Sequence, residues 1–120
     1  MKILIADDSR VMRQIVIRTL RQAGFRDLEL VEAADGRQGL DTALAEQPDL
    51  IISDWNMPEM SGLEFLRSLR ASGSGIPFGF VTTEGTPEMR TTAESAGAMF
   101  LITKPFTADT FRDVLEPILA

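Results

Sequence analysis

Four short stretches of the chain end an apolar run on a group that could do chemistry: ADDS at 6–9, ISDWNMP at 52–58, VTTEG at 81–85 and TKPF at 103–106. They supply Asp7, Asp8, Asp54, Thr82 and Lys104. If the preceding runs are strands of one sheet pointing the same way, these five groups meet at one edge. Three carboxylates gathered without a cation repel one another and push their pKa values up, which costs stability. A divalent cation removes that cost. Oxygen donors with no sulfur or imidazole among them favour a hard ion, and an open site with few protein ligands suits Mg2+ better than the multidentate cage of Ca2+. Lys104 and the Thr82 hydroxyl beside such an ion suit a highly charged anion, such as a phosphoryl group, held between them.

The elements that must position these groups alternate along the chain. Lys2–Ala6 is a strand-sized apolar run, and from Ser9 to Ala23 the residues Val11, Met12, Ile15, Val16 and Leu20 recur at helical spacing until Gly24 stops the pattern. A second strand is expected at Leu28–Val31 and a helix at Gln38–Ala45 with Leu40 and Leu44 on one face. A third strand, Leu50–Ser53, precedes a helix at Ser61–Arg70 that groups Leu63, Leu66 and Leu69. The fourth strand is Phe78–Val81. Thr86 can cap the next helix, Pro87 suits its first turn and Glu88 the positive end of its dipole. Its body, MRTTAESAGA, is small and β-branched, so it should be the least firmly packed helix. A fifth strand at Met99–Thr103 leads to a helix from Ala108 with Phe111, Val114, Leu115 and Ile118 inward, which Pro117 should kink or end. Short apolar strands each followed by a helix imply an α/β fold, a parallel sheet covered on both faces, with ligands at the carboxyl ends of the strands.

Composition narrows the chemistry. The chain has 120 residues, no cysteine and no histidine, which removes disulfides, thiolate sites and histidine-assisted nucleophiles. A formal charge of −6, from 12 basic and 18 acidic residues, argues against nucleic acid as partner. No apolar stretch reaches the roughly 18 residues of a membrane span, and KILIADD turns acidic too early for a signal peptide. A cytoplasmic, monomeric chain is expected, with no membrane association. In the absence of a linker, the expectation is one domain over residues 1–120 with no appended output domain.

Asp7-Asp8, Asp54, Thr82 and Lys104-Pro105, in that order and spacing, resemble the receiver domain of bacterial response regulators, over the whole chain. The segment ISDWNMP resembles the single-domain chemotaxis regulators most. The resemblance implies a flavodoxin-like, doubly wound (βα)5 fold with strand order 2-1-3-4-5. It implies a two-component switch in which Asp54 accepts a phosphoryl group from a histidine kinase, giving an acyl phosphate. Asp7 and Asp8, with Asp54 and the backbone carbonyl of Asn56, would hold Mg2+. Lys104 would pair with the phosphoryl oxygens and Thr82 would turn inward to hydrogen-bond one of them. Such a protein is a phosphoacceptor with self-phosphotransfer and self-dephosphorylation rather than an enzyme with an external substrate. Its output partner would be the flagellar motor switch or another signalling protein, met through the fourth helix, fifth strand and fifth helix, where Met89, Arg90, Met99, Leu101 and Phe106 are candidates.

Two positions depart from the family pattern. Three residues before Lys104, where an aromatic that turns inward is usual, stands Leu101, with Phe100 expected on the opposite face of its strand. Thr83 follows Thr82 where a small residue is common, and should hinder attacking water and lengthen the phosphorylated lifetime. Asn56 and Glu84 match the chemotaxis type. Taken singly, each group has an ordinary reading: Asp7, Asp8 and Ser9 as helix caps, Asp54 as a turn residue, Lys104 as a solvated charge. Their joint placement at one sheet edge favours the site. A haloacid-dehalogenase-like phosphotransferase needs a second carboxylate where Asn56 stands, and a flavodoxin-like cofactor binder needs a phosphate loop where DDSRVM offers two negative charges. A receiver-shaped module that is never phosphorylated is the third alternative.

Overall fold

A computed structural model describes residues 1–119. Five strands, β1 (Lys2–Ala6), β2 (Glu29–Ala33), β3 (Leu50–Ser53), β4 (Phe78–Thr82) and β5 (Phe100–Thr103), alternate with five helices. These are α1 (Arg10–Gln22), α2 (Gly36–Glu46), α3 (Gly62–Ala71), α4 (Pro87–Ala96) and α5 (Ala108–Leu119). All strand pairs are parallel, in the order β2-β1-β3-β4-β5. The strand order and the flavodoxin-like fold are those expected.

Alternation along each strand feeds two cores. Ile3, Ile5, Leu50, Ile52, Val81 and Ile102 face α1 and α5, meeting Val16, Leu20, Phe111 and Leu115. Leu4, Ala6, Ile51, Phe78 and Phe80 face the other way, onto Phe65, Leu66 and Leu69 of α3. Each large side chain so buried stabilises the fold by about 1.5–3 kcal/mol. Both sheet faces are therefore covered, and the sheet's open ends are where polar groups find room.

Caps set the helix starts. Ser9, Asp35, Ser61 and Thr86 each accept a hydrogen bond from a backbone N–H in the first turn of α1, α2, α3 and α4, and Ser61 with Glu64 completes a reciprocal capping box. The Asp35 cap starts α2 two residues before the expected Gln38. Its buried face differs in part from the one expected: Leu40 packs, half-buried, against the α3 core, but Leu44 is 43% exposed, and Gly36, Gly39 and Ala43 are the fully buried residues. The reason is close approach, since a Cβ at Gly39 would press on the Phe65 ring. Likewise α3 buries Phe65, Leu66 and Leu69 but not Leu63, because the expected three-residue spacing drifts off the 3.6-residue period. Strand β2 lies slightly later than expected. Pro117 does not end α5, which runs on to Leu119, although its missing N–H takes one bond from the ladder. As expected, α4 is the least anchored helix, with Ala93 its one buried residue.

Register carries this fold to the site. Ala6 pairs with Ser53, and the ladder extends one step as the Asp54 N–H donates to the Ala6 carbonyl at 2.8 Å, so Asp7 and Asp54 emerge side by side. Thr82 pairs with Thr103, and the Lys104 N–H donates to the Thr82 carbonyl at 2.8 Å. The peptide bond between Lys104 and Pro105 is cis.

Candidate functional site

The structure brings the expected acidic residues together. One carboxylate oxygen from each of Asp7, Asp8 and Asp54 lies within 4.8 Å of the others. Asp7 is buried, Asp54 half-buried and Asp8 exposed, so the cluster opens to solvent on the Asp8 side. Lys104 reaches over from β5: its Nζ stands 3.6 Å from Asp7 Oδ2 and 3.7 Å from Asp54 Oδ2. Both separations exceed hydrogen-bond length, so the ammonium sits between two carboxylates as a charge rather than committed to either.

The other oxygens are held by backbone. The Ser9 N–H donates to Asp7 Oδ1 at 2.9 Å and the Trp55 N–H to Asp54 Oδ1 at 2.7 Å. Burial raises the pKa of both Asp7 and Asp54 above the ordinary carboxylate range. For Asp7 the Ser9 N–H and Lys104 pull the other way, and for Asp54 Lys104 and the Trp55 N–H do so, without cancelling the rise. The upward direction was expected, but its larger cause is desolvation; repulsion from neighbouring carboxylates adds a smaller share.

This donor set fits a divalent cation. Three carboxylates and one ammonium leave two negative charges uncompensated, all ligating atoms are hard oxygens, and the cluster opens to water on one side. Asn56, whose carbonyl was the fourth expected ligand, lies exposed two residues beyond Asp54.

Thr82 closes β4, fully buried, and its hydroxyl accepts a long hydrogen bond of 3.4 Å from the Glu84 N–H. Thr83 and Glu84 are exposed beside it. Trp55 is half-buried and packs its ring on Phe80, with centroids 4.7 Å apart. Leu101 and Phe100 face opposite sides of β5 as expected: Leu101 packs with the α3 core and Phe100 with the α1–α5 core, its ring occupying the space a side chain at Gly79 would take.

A groove of about 380 Å³ runs between α4 and β5, lined by Arg90, Ala93, Glu94, Ala98, Met99, Phe100 and Leu101. Met99 is 56% exposed there. The Arg90 guanidinium donates to the carbonyls of Leu101 at 3.1 Å and Gly85 at 3.3 Å, tying the β4–α4 connection to the edge strand. Of the other candidates for this face, Phe106 packs instead on Phe111, with centroids 4.7 Å apart.

Sequence reasoning overlooked Arg13, which donates to the Asp7 carbonyl. The signal was available, since Arg13 stands at helical spacing from Val16, Ile17 and Leu20 on the inward face of α1, where a charge needs a reason.

Comparison with known proteins agrees with this geometry. The response regulator receiver domain family matches residues 3–116. A chemotaxis protein CheY homolog of Campylobacter jejuni is 40% identical over 122 aligned positions, covering 99% of this chain and 92% of the relative. The solved structure of the chemotaxis response regulator CheY4 of Vibrio cholerae superposes with a TM-score of 0.84 at 39% identity, covering 98% of each chain. The receiver domain of the putative response regulator NarL from Mycobacterium tuberculosis gives a TM-score of 0.86 at 25% identity, covering 98% of this chain and 94% of that one. No helix among the described residues is long and apolar enough to cross a membrane. The chain belongs to the response regulator receiver family, and within it is similar to the chemotaxis CheY proteins.

Proposed function

We propose that this chain is a phosphorylation-activated switch of a two-component pathway, working in the cytoplasm as a monomer, with Asp54 as the phosphoacceptor. The observation that carries the reading is the Lys104 ammonium suspended between Asp7 and Asp54 at the mouth of a three-carboxylate cluster. An Asp54 carboxylate oxygen attacks the phosphorus of a kinase phosphohistidine; the P–N bond breaks, its electron pair stays on the imidazole, and an acyl phosphate forms. Asp7, Asp8, Asp54 and the Asn56 carbonyl would hold Mg2+, which when bound would neutralise the charge that gathers on the transferring group. Lys104 then exchanges its attraction to Asp54 for a phosphoryl oxygen, and the Thr82 hydroxyl leaves the long bond from Glu84 to hydrogen-bond another.

That turn of Thr82 draws in the Thr83–Thr86 connection and biases the weakly anchored α4, which is how phosphate at one edge alters the α4–β5 groove. The target is a protein, the flagellar motor switch or another signalling component, bound over Arg90, Met99 and Leu101. Leu101 replaces the aromatic whose inward turn is usual, so the readout here runs through the loop and Arg90 rather than through a ring.

Thr83, exposed next to the site, screens the phosphoryl group from water. Thr83→Ala is expected to speed loss of phosphate several-fold, followed by decay of the phosphorylated mass after donor removal; an unchanged rate would remove this role.

The test of the reading uses Trp55, the one tryptophan, adjacent to Asp54. Adding Mg2+ and then a small phosphodonor should change its fluorescence in two steps, while Asp8→Ala should need at least tenfold more Mg2+ for the first. A variant titrating like wild type would contradict the ligand assignment.

A further inference from the structure

We propose that Arg13 is a positioning residue for the metal ligands, fixing the peptide plane that joins Asp7 to Asp8. The inference rests on the reading of the acidic cluster as a Mg2+ site and goes one layer outside it. The Arg13 side chain is 13% exposed and divides its donors: Nε donates to Glu32 Oε1 at 2.9 Å, and Nη1 to the Asp7 carbonyl oxygen at 2.6 Å.

Every other handle on Asp7 is also taken. Its N–H donates to the Ala33 carbonyl at 3.0 Å, its Oδ1 accepts from Ser9, and its Oδ2 faces Lys104. Asp8 is different: it is exposed, and among the described residues its carboxylate has no hydrogen-bond or ion-pair partner. What orients Asp8 is the backbone before it. The Asp7 carbonyl and the Asp8 N–H belong to one rigid plane, so a donor clamped on that carbonyl sets the direction from which Asp8 leaves the strand end. Glu32, on β2, holds the guanidinium in turn.

Stability gives no reason for an arginine here. The Glu32 side chain is 38% exposed, and an ion pair with one partner in solvent contributes little to stability. Electrostatics gives no reason either, since a positive charge near a cation site disfavours the ion. Orientation of a ligand is what remains, and outer residues of this kind typically change metal affinity 10–100-fold.

The test is Mg2+ affinity, measured by isothermal titration calorimetry with Trp55 fluorescence as a second readout, alongside thermal unfolding in EDTA. Arg13→Met should weaken Mg2+ binding about tenfold while the metal-free unfolding midpoint moves little. Arg13→Lys, which keeps the charge and one donor, should recover part of the loss. The sign separates the alternatives: loss of charge alone would tighten binding, and a merely structural role would shift the midpoint and leave affinity unchanged. Folded Arg13→Met with wild-type or tighter affinity overturns the proposal. Should that variant fail to fold, Arg13→Lys decides, with wild-type affinity again overturning it. A wild-type chain that binds no Mg2+ would instead overturn the metal-site reading itself.

Discussion

Asp54→Asn is expected to make the metal-free chain more stable than wild type at pH 7, by about 1–2 kcal/mol. Burial raises the Asp54 pKa in the folded chain, and Lys104 and the Trp55 N–H only partly offset it. A carboxyl whose folded pKa lies above its unfolded value lends stability that is fully present below the unfolded pKa and is lost as pH rises through the folded one. As pH rises through the folded pKa, the wild type loses that contribution and comes to hold an incompletely compensated charge. Asparagine keeps the shape and can still accept from Trp55, with no proton to lose. Asp7, raised for the same chief reason, retains part of the slope in the variant. In denaturant titrations with EDTA the advantage of Asp54→Asn should therefore widen from about pH 4 to pH 7. Mg2+ should narrow it, because an ion that binds only the folded site stabilises wild type by mass action. Wild type proving the more stable at pH 7 without metal would contradict the claim that burial outweighs Lys104.

Gly62→Ala should cost about 3 kcal/mol or more, against the usual preference of helices for alanine. Intrinsic propensity would favour the change by up to about 1 kcal/mol. The contact decides otherwise. A Cβ at Gly62 would run into the carbonyl oxygen of Asp54 and lie 3.0 Å from the Phe80 ring, while the Gly62 N–H donates to the Trp55 carbonyl at 2.8 Å. Neither neighbour can yield, because one is the backbone carbonyl of Asp54 and the other is fully buried. Gly24→Ala is the contrasting case: nothing crowds that position, and only its left-handed backbone, with φ of 97°, opposes a side chain. Urea midpoints should thus fall far more for Gly62→Ala than for Gly24→Ala, and the former should also weaken Mg2+ binding by displacing Asp54. Equal losses would contradict the packing argument.

What could be read from the sequence was what short-range chemistry decides. Ser9, Ser61 and Thr86 stand where helix starts need a side-chain acceptor, and apolar runs ending on Asp7, Asp54, Thr82 and Lys104 mark the sheet edge. What could not be read depends on partners distant in sequence. The inner face of α2 is made of Gly36, Gly39 and Ala43, whose burial follows from Met60 and Phe65 and leaves no mark in hydropathy. Arg13 is marked by its place on the inward face of α1, but its contacts with the Asp7 carbonyl and Glu32 exist only in the fold. Burial as the main cause of the raised Asp7 and Asp54 pKa values is also a property of the assembled site, since adjacency in sequence suggests only repulsion.

The most direct measurement is the intact mass of wild type and Asp54→Asn after incubation with a small phosphodonor and Mg2+. Wild type should gain one phosphoryl group, lost again with time and absent when EDTA replaces the ion, and Asp54→Asn should gain none. A wild-type chain that takes up no phosphate from a competent donor, or a variant that takes up as much, would contradict the assignment of Asp54.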